Sequence, residues 1–213
     1  MRWTDFTSDI VMGIRNTVTA TLLGFALGLV IGVIVTVCRL SPVRPLRIVG
    51  RLYTSLMVNS PLIFFALFLF YGMPKLNLKP SSYQCAVIAL ALYLGGYIAE
   101  ALRAGVNTVA NGQAEAARAI GLTFGQTLQH VVLPQAVRSS IGPMGVLLNA
   151  SFRNVAVAGA VSFADVVFVS KRISEETTDY YPMFLVQFAV IAALAVMTSV
   201  GARALDRRFA VKR

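Results

Sequence analysis

Four stretches of this chain, residues 16–38, 52–74, 80–99 and 180–202, contain no charged side chain and are predominantly apolar. At about 1.5 Å of rise per residue, each is long enough to cross a hydrocarbon core of about 30 Å as a helix. Lipid offers no water to backbone polar groups, and a helix bonds its own. A fifth run, 139–152, is cut short by Arg153, but apolar sequence resumes from Val155 to Ala164, so this region reads as one kinked or broken span. The composition agrees. Hydrophobic residues make up 57% of the chain and charged residues 13%, with a mean hydropathy of +0.72, far from the soluble globular norm. The expectation is an all-α integral membrane protein whose single transmembrane domain covers residues 1–213. Its five transmembrane helices fall at approximately 13–39, 52–74, 80–104, 135–166 and 180–203, with a helical loop at 107–133.

Orientation follows from the basic residues. With the amino terminus outside and the carboxyl terminus in the cytoplasm, the inner side receives twelve of the 19 basic residues, Arg39, Arg44, Arg47 and Arg51 among them, but only Glu100, Glu115 and Asp206 of the nine acids. That asymmetry obeys the positive-inside rule and accounts for nearly all of the net charge of +10. The arginines flank spans and form no aromatic-studded basic patch, so the charge does not point to nucleic acid. The first apolar run is too long for a cleavable signal core, and a basic stop-transfer flank follows it.

The loop between the third and fourth spans carries its own folding signals. Gln113 to Ile120 is rich in helix formers, Glu115 lies near the helix start where the dipole favours an acid, and Gly121 suits the left-handed residue that ends a helix. Thr123 with Gln126 forms a capping box for a second short helix, and Leu133-Pro134 marks the passage into the next apolar segment. Ala114, Ala116, Ala117 and Ala119 leave a low surface that a partner can approach closely, as a helix is approached in a groove. The bland alternative is an ordinary amphipathic loop helix.

Catalytic chemistry finds no foothold. The chain has no GxxxxGK[ST] phosphate loop, no clustered carboxylates and no Cys/His metal spacing. His130, the only histidine, reads as a solvated loop residue, and a disulfide between Cys38 and Cys85 would have to cross the membrane. Gly24, Gly28 and Gly32, four residues apart, read as a helix-packing face, and Glu100 is placed to pair with Arg103.

Glu115-Ala116-Ala117, three residues, Gly121, nine residues, then Val131-Val132-Leu133-Pro134 resembles the EAA loop of binding-protein-dependent ABC importer permeases, with Val131 standing where isoleucine is usual. The similarity runs over roughly residues 13–209 and points to the polar amino acid subfamily. Asn59-Ser60-Pro61-Leu62 looks like its second-span motif, and Ala99-Glu100 with Arg103 and Gly105 is similar to its third-span ending. Gln113 to Val137 looks closest to glutamate-type permeases. Val58 replaces the usual arginine and Val155-Ala156 a hydroxyl pair. The resemblance implies that Glu115, Ala116, Ala117, Gly121, Leu133 and Pro134 couple the chain to a pair of ATPase subunits, which hold ATP and Mg. It implies also a second permease subunit, identical or different, an external amino-acid-binding protein, and a multi-pass place in the lipid of a bacterial plasma membrane. The chain itself would be no enzyme. A membrane channel or scaffold with a docking helix, and a permease for another small polar solute, are the alternatives.

Arg153 is the sharpest candidate within the spans. Counted without gaps from Pro134, the family's Lys-Asp/Asn pair falls on Arg153-Asn154. A helix rising from Arg138 advances about 22 Å by Arg153, two-thirds of the way through the core. An arginine there needs a partner or a water-filled path, and its planar fork suits a carboxylate. Asn149 and Asn154, with Ser60 and Asn59 of the second span, complete the expected pathway. Snorkelling to the outer surface, or pairing with an acid such as Asp165, are the structural readings of the same residue.

Overall fold

The computed structural model describes residues 6–109 and 111–209, the side chains of residues 111, 114 and 205–209 excepted. Met1–Asp5, Arg213 and the Ala114 side chain therefore lie outside the described residues. Helices α1 (Thr7–Leu40), α4 (Ser82–Asn107) and α9 (Tyr180–Phe209) are long and apolar, as is the continuous helical segment Phe124–Val161 that contains α7 (Leu133–Asn154). Helix α2 (Arg44–Asn59) and the segment Leu62–Leu76, which begins as α3 (Leu62–Leu67), meet at a bend of 102°. Among the described residues this gives four membrane-length helices, or five spans with the bent pair taken as one.

The bend corrects the expectation of one uninterrupted run over 52–74. Pro61 has no N–H to donate, and its ring disfavours the helical conformation of the residue before it, so Ser60 is extended with ψ 141°. The freed backbone finds other partners: Tyr97 of α4 donates its hydroxyl to the Val58 carbonyl at 3.2 Å, and the Phe64 amide donates to the Pro61 carbonyl at 3.1 Å.

Helix α4 is the most enclosed of the long helices. A stripe on α1 fits its leucine and isoleucine side chains: an added Cβ at Gly24 would stand 2.9 Å from Leu90, at Gly28 3.0 Å from Leu94, and at Gly32 2.4 Å from Ile98. Without a hydrophobic drive between helices in lipid, this close approach supplies the dispersion contact that joins them. Gly32→Leu should thus lower the melting temperature of the purified protein in detergent, by the equivalent of about 1–3 kcal/mol of overpacking. An unchanged melting temperature would show that the stripe does not set the α1–α4 distance.

Glu100 does not pair with Arg103. Its carboxylate accepts from Arg39 Nη1 at 2.8 Å, and the same nitrogen lies 3.1 Å from Thr54 Oγ1, so Arg39 joins α1, α2 and α4 at one point. The Arg39 side chain is only 6% exposed, which favours a partner contributed by the helices that bury it over one a turn away on α4.

Helix α8 (Val166–Thr177) lies between the Phe124–Val161 segment and α9. The segment from Ala164 to Arg172 docks on α1: the Val166 amide donates to Thr17 Oγ1 at 3.0 Å, Asn16 donates to the Ala164 carbonyl at 2.9 Å, and Arg172 forms an ion pair with Asp9. Asp165 caps α8 by accepting from the Phe168 amide at 2.9 Å. Its side chain is wholly buried.

Candidate coupling loop and substrate pathway

On the face of the molecule where α4 ends, the chain forms a short helix, a turn and a second helix. Helix α5 (Asn111–Ala119) closes in a double hydrogen bond, Leu122 N to the Ala117 carbonyl at 3.1 Å and Gly121 N to the Arg118 carbonyl at 3.0 Å, with Gly121 at φ +88°. This is the pattern in which a left-handed residue satisfies the last carbonyls of a helix. Thr123 and Gln126 then form the reciprocal capping box of α6 (Phe124–Thr127), and a π-turn over Leu128–Val132 leads into α7 with Pro134 in its first turn. The helix runs through this point without a break, and the π-turn, in which the Leu133 amide donates to the Leu128 carbonyl, accommodates a proline that has no amide to donate.

Glu115, Ala116 and Gly121 are exposed, whereas Ala117 is buried and turns the helix toward the rest of the chain. Gln135 donates to Gln113, tying α5 to the start of α7. Leu133 is half-buried and Pro134 exposed at that start. Two residues that the sequence did not single out stand out beside them: Ile120 is 80% exposed and Phe124 is also exposed. Burial inside the chain does not account for apolar side chains so placed, and an exposed apolar patch rimmed by polar residues is typical of contact surfaces. The available signal was an isoleucine directly before a helix-ending glycine, where solvated loops ordinarily carry polar residues.

The pathway candidates divide between two places. Asn149 and Arg153 face the same groove, about 240 Å³ in volume, between α7 and α9. Asn149 donates to Ser199 Oγ at 2.7 Å and to the Ala195 carbonyl at 3.3 Å, and its own oxygen lies 3.4 Å from Arg153 Nη1. Ser199 and Arg203 of α9 complete the lining and were not anticipated, because which helix face meets α7 is a tertiary fact. Arg153 is exposed and forms no ion pair with an acid among the described residues, Asp165 included. Asn154, Asn59 and Ser60 do not line this groove. The Asn59 amide is occupied by the Ser55 carbonyl at 2.7 Å. Asn59 and Ser60 belong to the α2–α3 bend, yet α3 packs on the Val155–Val161 segment that directly follows Asn154, so the two places adjoin.

Depth decides how Arg153 is to be read. It lies on α7 about 6 Å from Asn149, and Arg203 lies about 6 Å from Ser199 along α9 in the opposite direction. The groove thus has a cation at each end, with an amide and a hydroxyl between them. A guanidinium at the centre of a membrane costs about 2.5–3.5 kcal/mol on insertion scales, a cost that a partner subunit, a water-filled path or snorkelling to the outer surface would each relieve.

These features define a polytopic helical membrane protein of transport type, with membrane-length helices around α4 and a helical loop projecting from one face. The chain belongs to the binding-protein-dependent transport system inner membrane component family, whose pattern matches residues 10–211. It is 31% identical to the probable glutamine ABC transporter permease of Bacillus subtilis, over 92% of this chain and 91% of that one. It is likewise 31% identical to the glutamate transport system permease of Corynebacterium glutamicum, over 99% and 98%. A solved structure described as an amino acid ABC transporter with histidines shares the fold, with a TM-score of 0.88 over 96% of each chain at 24% identity.

Proposed function

We propose that this chain is the permease subunit of an ATP-driven importer of polar amino acids in a bacterial plasma membrane, carrying glutamate or a related amino acid. The observation that carries this reading is Arg153, an exposed guanidinium in a groove walled by Asn149 and Ser199, placed by helix count about two-thirds of the way through the core. Every amino acid has a carboxylate for such a fork. Arg203 at the other end of the groove suits a second carboxylate, which favours an acidic cargo. A second permease subunit, identical or different, faces this groove; an external binding protein delivers the amino acid.

Energy comes from outside the chain. A pair of ATPase subunits holds ATP and Mg and grips the loop at Glu115, Ala116 and Ala117, with Ile120 as an apolar anchor. Gly121 fixes the angle of the docking helix, and Leu133 and Pro134 pass its displacement to α7, whose groove then opens to alternate sides. Asn59, Ser60 and Asn154 border the path from the α2–α3 bend, where irregular backbone at membrane depth is compatible with a lined cavity.

The proposed orientation puts the loop in the cytoplasm and Lys75 outside. A cysteine at Gln129 should resist a membrane-impermeant thiol reagent in intact cells, while one at Lys75 should react; the reverse pattern would overturn the orientation. The cargo is tested in proteoliposomes by competition of unlabelled amino acids against labelled glutamate. Strong competition by aspartate and weak competition by lysine or arginine is the expected order. Equal competition by cationic amino acids would remove the role given to Arg203.

A further inference from the structure

Helix α9 crosses α7 at Gly145, where an added Cβ would stand 2.2 Å from that of Ala202. Two grooves border this crossing, since Gly145 and Ala202 line both. One is the groove of Asn149 and Arg153. The other has a volume of about 490 Å³ and is walled by Phe25, Leu29 and Val33 of α1 and by Ile141, Met144 and Leu148 of α7. Its lining is almost wholly hydrocarbon. The hydroxyls of Ser140 and Thr198 are the exceptions, and both already donate to carbonyls of their own helices, at 2.7 and 2.8 Å. Val33 and Val137 on its walls are exposed, so the groove opens on the surface of the chain.

Val137 and Ile141 also line a second hollow of about 500 Å³, which borders this slot and is walled by Leu133, Pro134 and Arg138. Arg138 is exposed and forms no ion pair among the described residues. From Leu148 to Arg138 the slot follows α7 for about 15 Å, which is half of a hydrocarbon core of about 30 Å. A dry slot one leaflet deep that ends in a guanidinium is complementary to an acyl chain that ends in a phosphate.

We propose that this slot holds one anionic phospholipid from the leaflet on the loop side, with an acyl chain between α1 and α7 and its phosphate on Arg138. Basic pockets between membrane helices are suited to such head groups. A segment of a second permease subunit is the competing occupant. The lining favours lipid, because it offers a protein partner no free hydrogen-bonding group, while the polar features a partner or an aqueous path would use lie in the other groove. The head end is walled by Leu133 and Pro134, so the bound lipid braces the point where the loop joins α7.

The full chain in its purified complex, titrated with phosphatidylglycerol or phosphatidylcholine and read by native mass spectrometry, tests this directly. One retained phosphatidylglycerol per copy is expected, held about fivefold more tightly than phosphatidylcholine, the worth of one arginine near an anionic head group. Arg138→Gln should bring that ratio close to one while a lipid is still retained, and Val137→Trp, which fills the slot, should reduce retention of both lipids. An unchanged ratio in Arg138→Gln, or unchanged retention in Val137→Trp, overturns the proposal. So does disulfide formation between Val33→Cys of one permease subunit and a cysteine scanned through its neighbour, which would put protein in the slot.

Discussion

Gly121→Val is expected to cut ATP-driven uptake at least about tenfold while leaving the chain inserted and its spans folded. Gly121 sits at φ +88°, and no atom lies within 4 Å of the position a Cβ would take, so the effect comes from backbone strain and not from a clash. A left-handed conformation costs an ordinary residue about 1–2 kcal/mol, more when it is β-branched. The strain acts at the one residue that lets Gly121 and Leu122 bond the carbonyls of Arg118 and Ala117. Relieving it turns α5 away from its present angle and carries Glu115, Ala116 and Ile120 off the surface proposed to engage the ATPase subunits. Gly121→Asn is the control, because asparagine tolerates the left-handed region, and most uptake should survive in it. Normal uptake in Gly121→Val, together with normal ATPase association, would show that the geometry of the loop does not transmit the stroke.

The second large effect falls on Arg153. Arg153→Gln should weaken apparent affinity for the transported amino acid by about 10- to 100-fold, the range expected on removing a charged hydrogen bond worth about 1.5–3 kcal/mol. Assembly and basal ATP hydrolysis should be spared. Insertion should be no worse, since glutamine removes a charge from mid-depth. Arg153→Lys should fall between the two, keeping the charge but losing the planar fork. If affinity and maximal rate were both unchanged in Arg153→Gln, the groove between α7 and α9 would not be the path.

Much of this architecture is legible in the sequence, for identifiable reasons. A charge-free run of membrane length is a local signal that few structures besides a spanning helix produce: residues 16–38 and 180–202 fall within single helices, as does 80–99 from Ser82 onward. The cap of Thr123 and Gln126, the left-handed Gly121 and the small-residue stripe of α1 are likewise fixed by short-range chemistry. What is not legible depends on distant parts of the chain. The uncharged run 52–74 continues unbroken past Pro61, so hydropathy conceals a break that the proline imposes. Helical spacing sees only one helix and so offers Glu100 the nearby Arg103, whereas its partner Arg39 is 61 residues away. The polar stretch that begins at Ser170 belongs to a helix, Val166–Thr177, whose other face is buried against α1 and α9. Ser199 and Arg203 join the groove only through the packing of α9 on α7.

If the proposed function is right, this chain passes an amino acid across the membrane only when ATP is split by another subunit. Labelled glutamate uptake and ATP hydrolysis should therefore be measured together, in proteoliposomes containing this chain, its ATPase partners and the binding protein. Concentrative uptake that needs all components, and that stops on ATP removal, is the expected result. Glutamate flux that runs only down its gradient, at the same rate without ATP or without the ATPase subunits, would contradict it and leave a channel in its place.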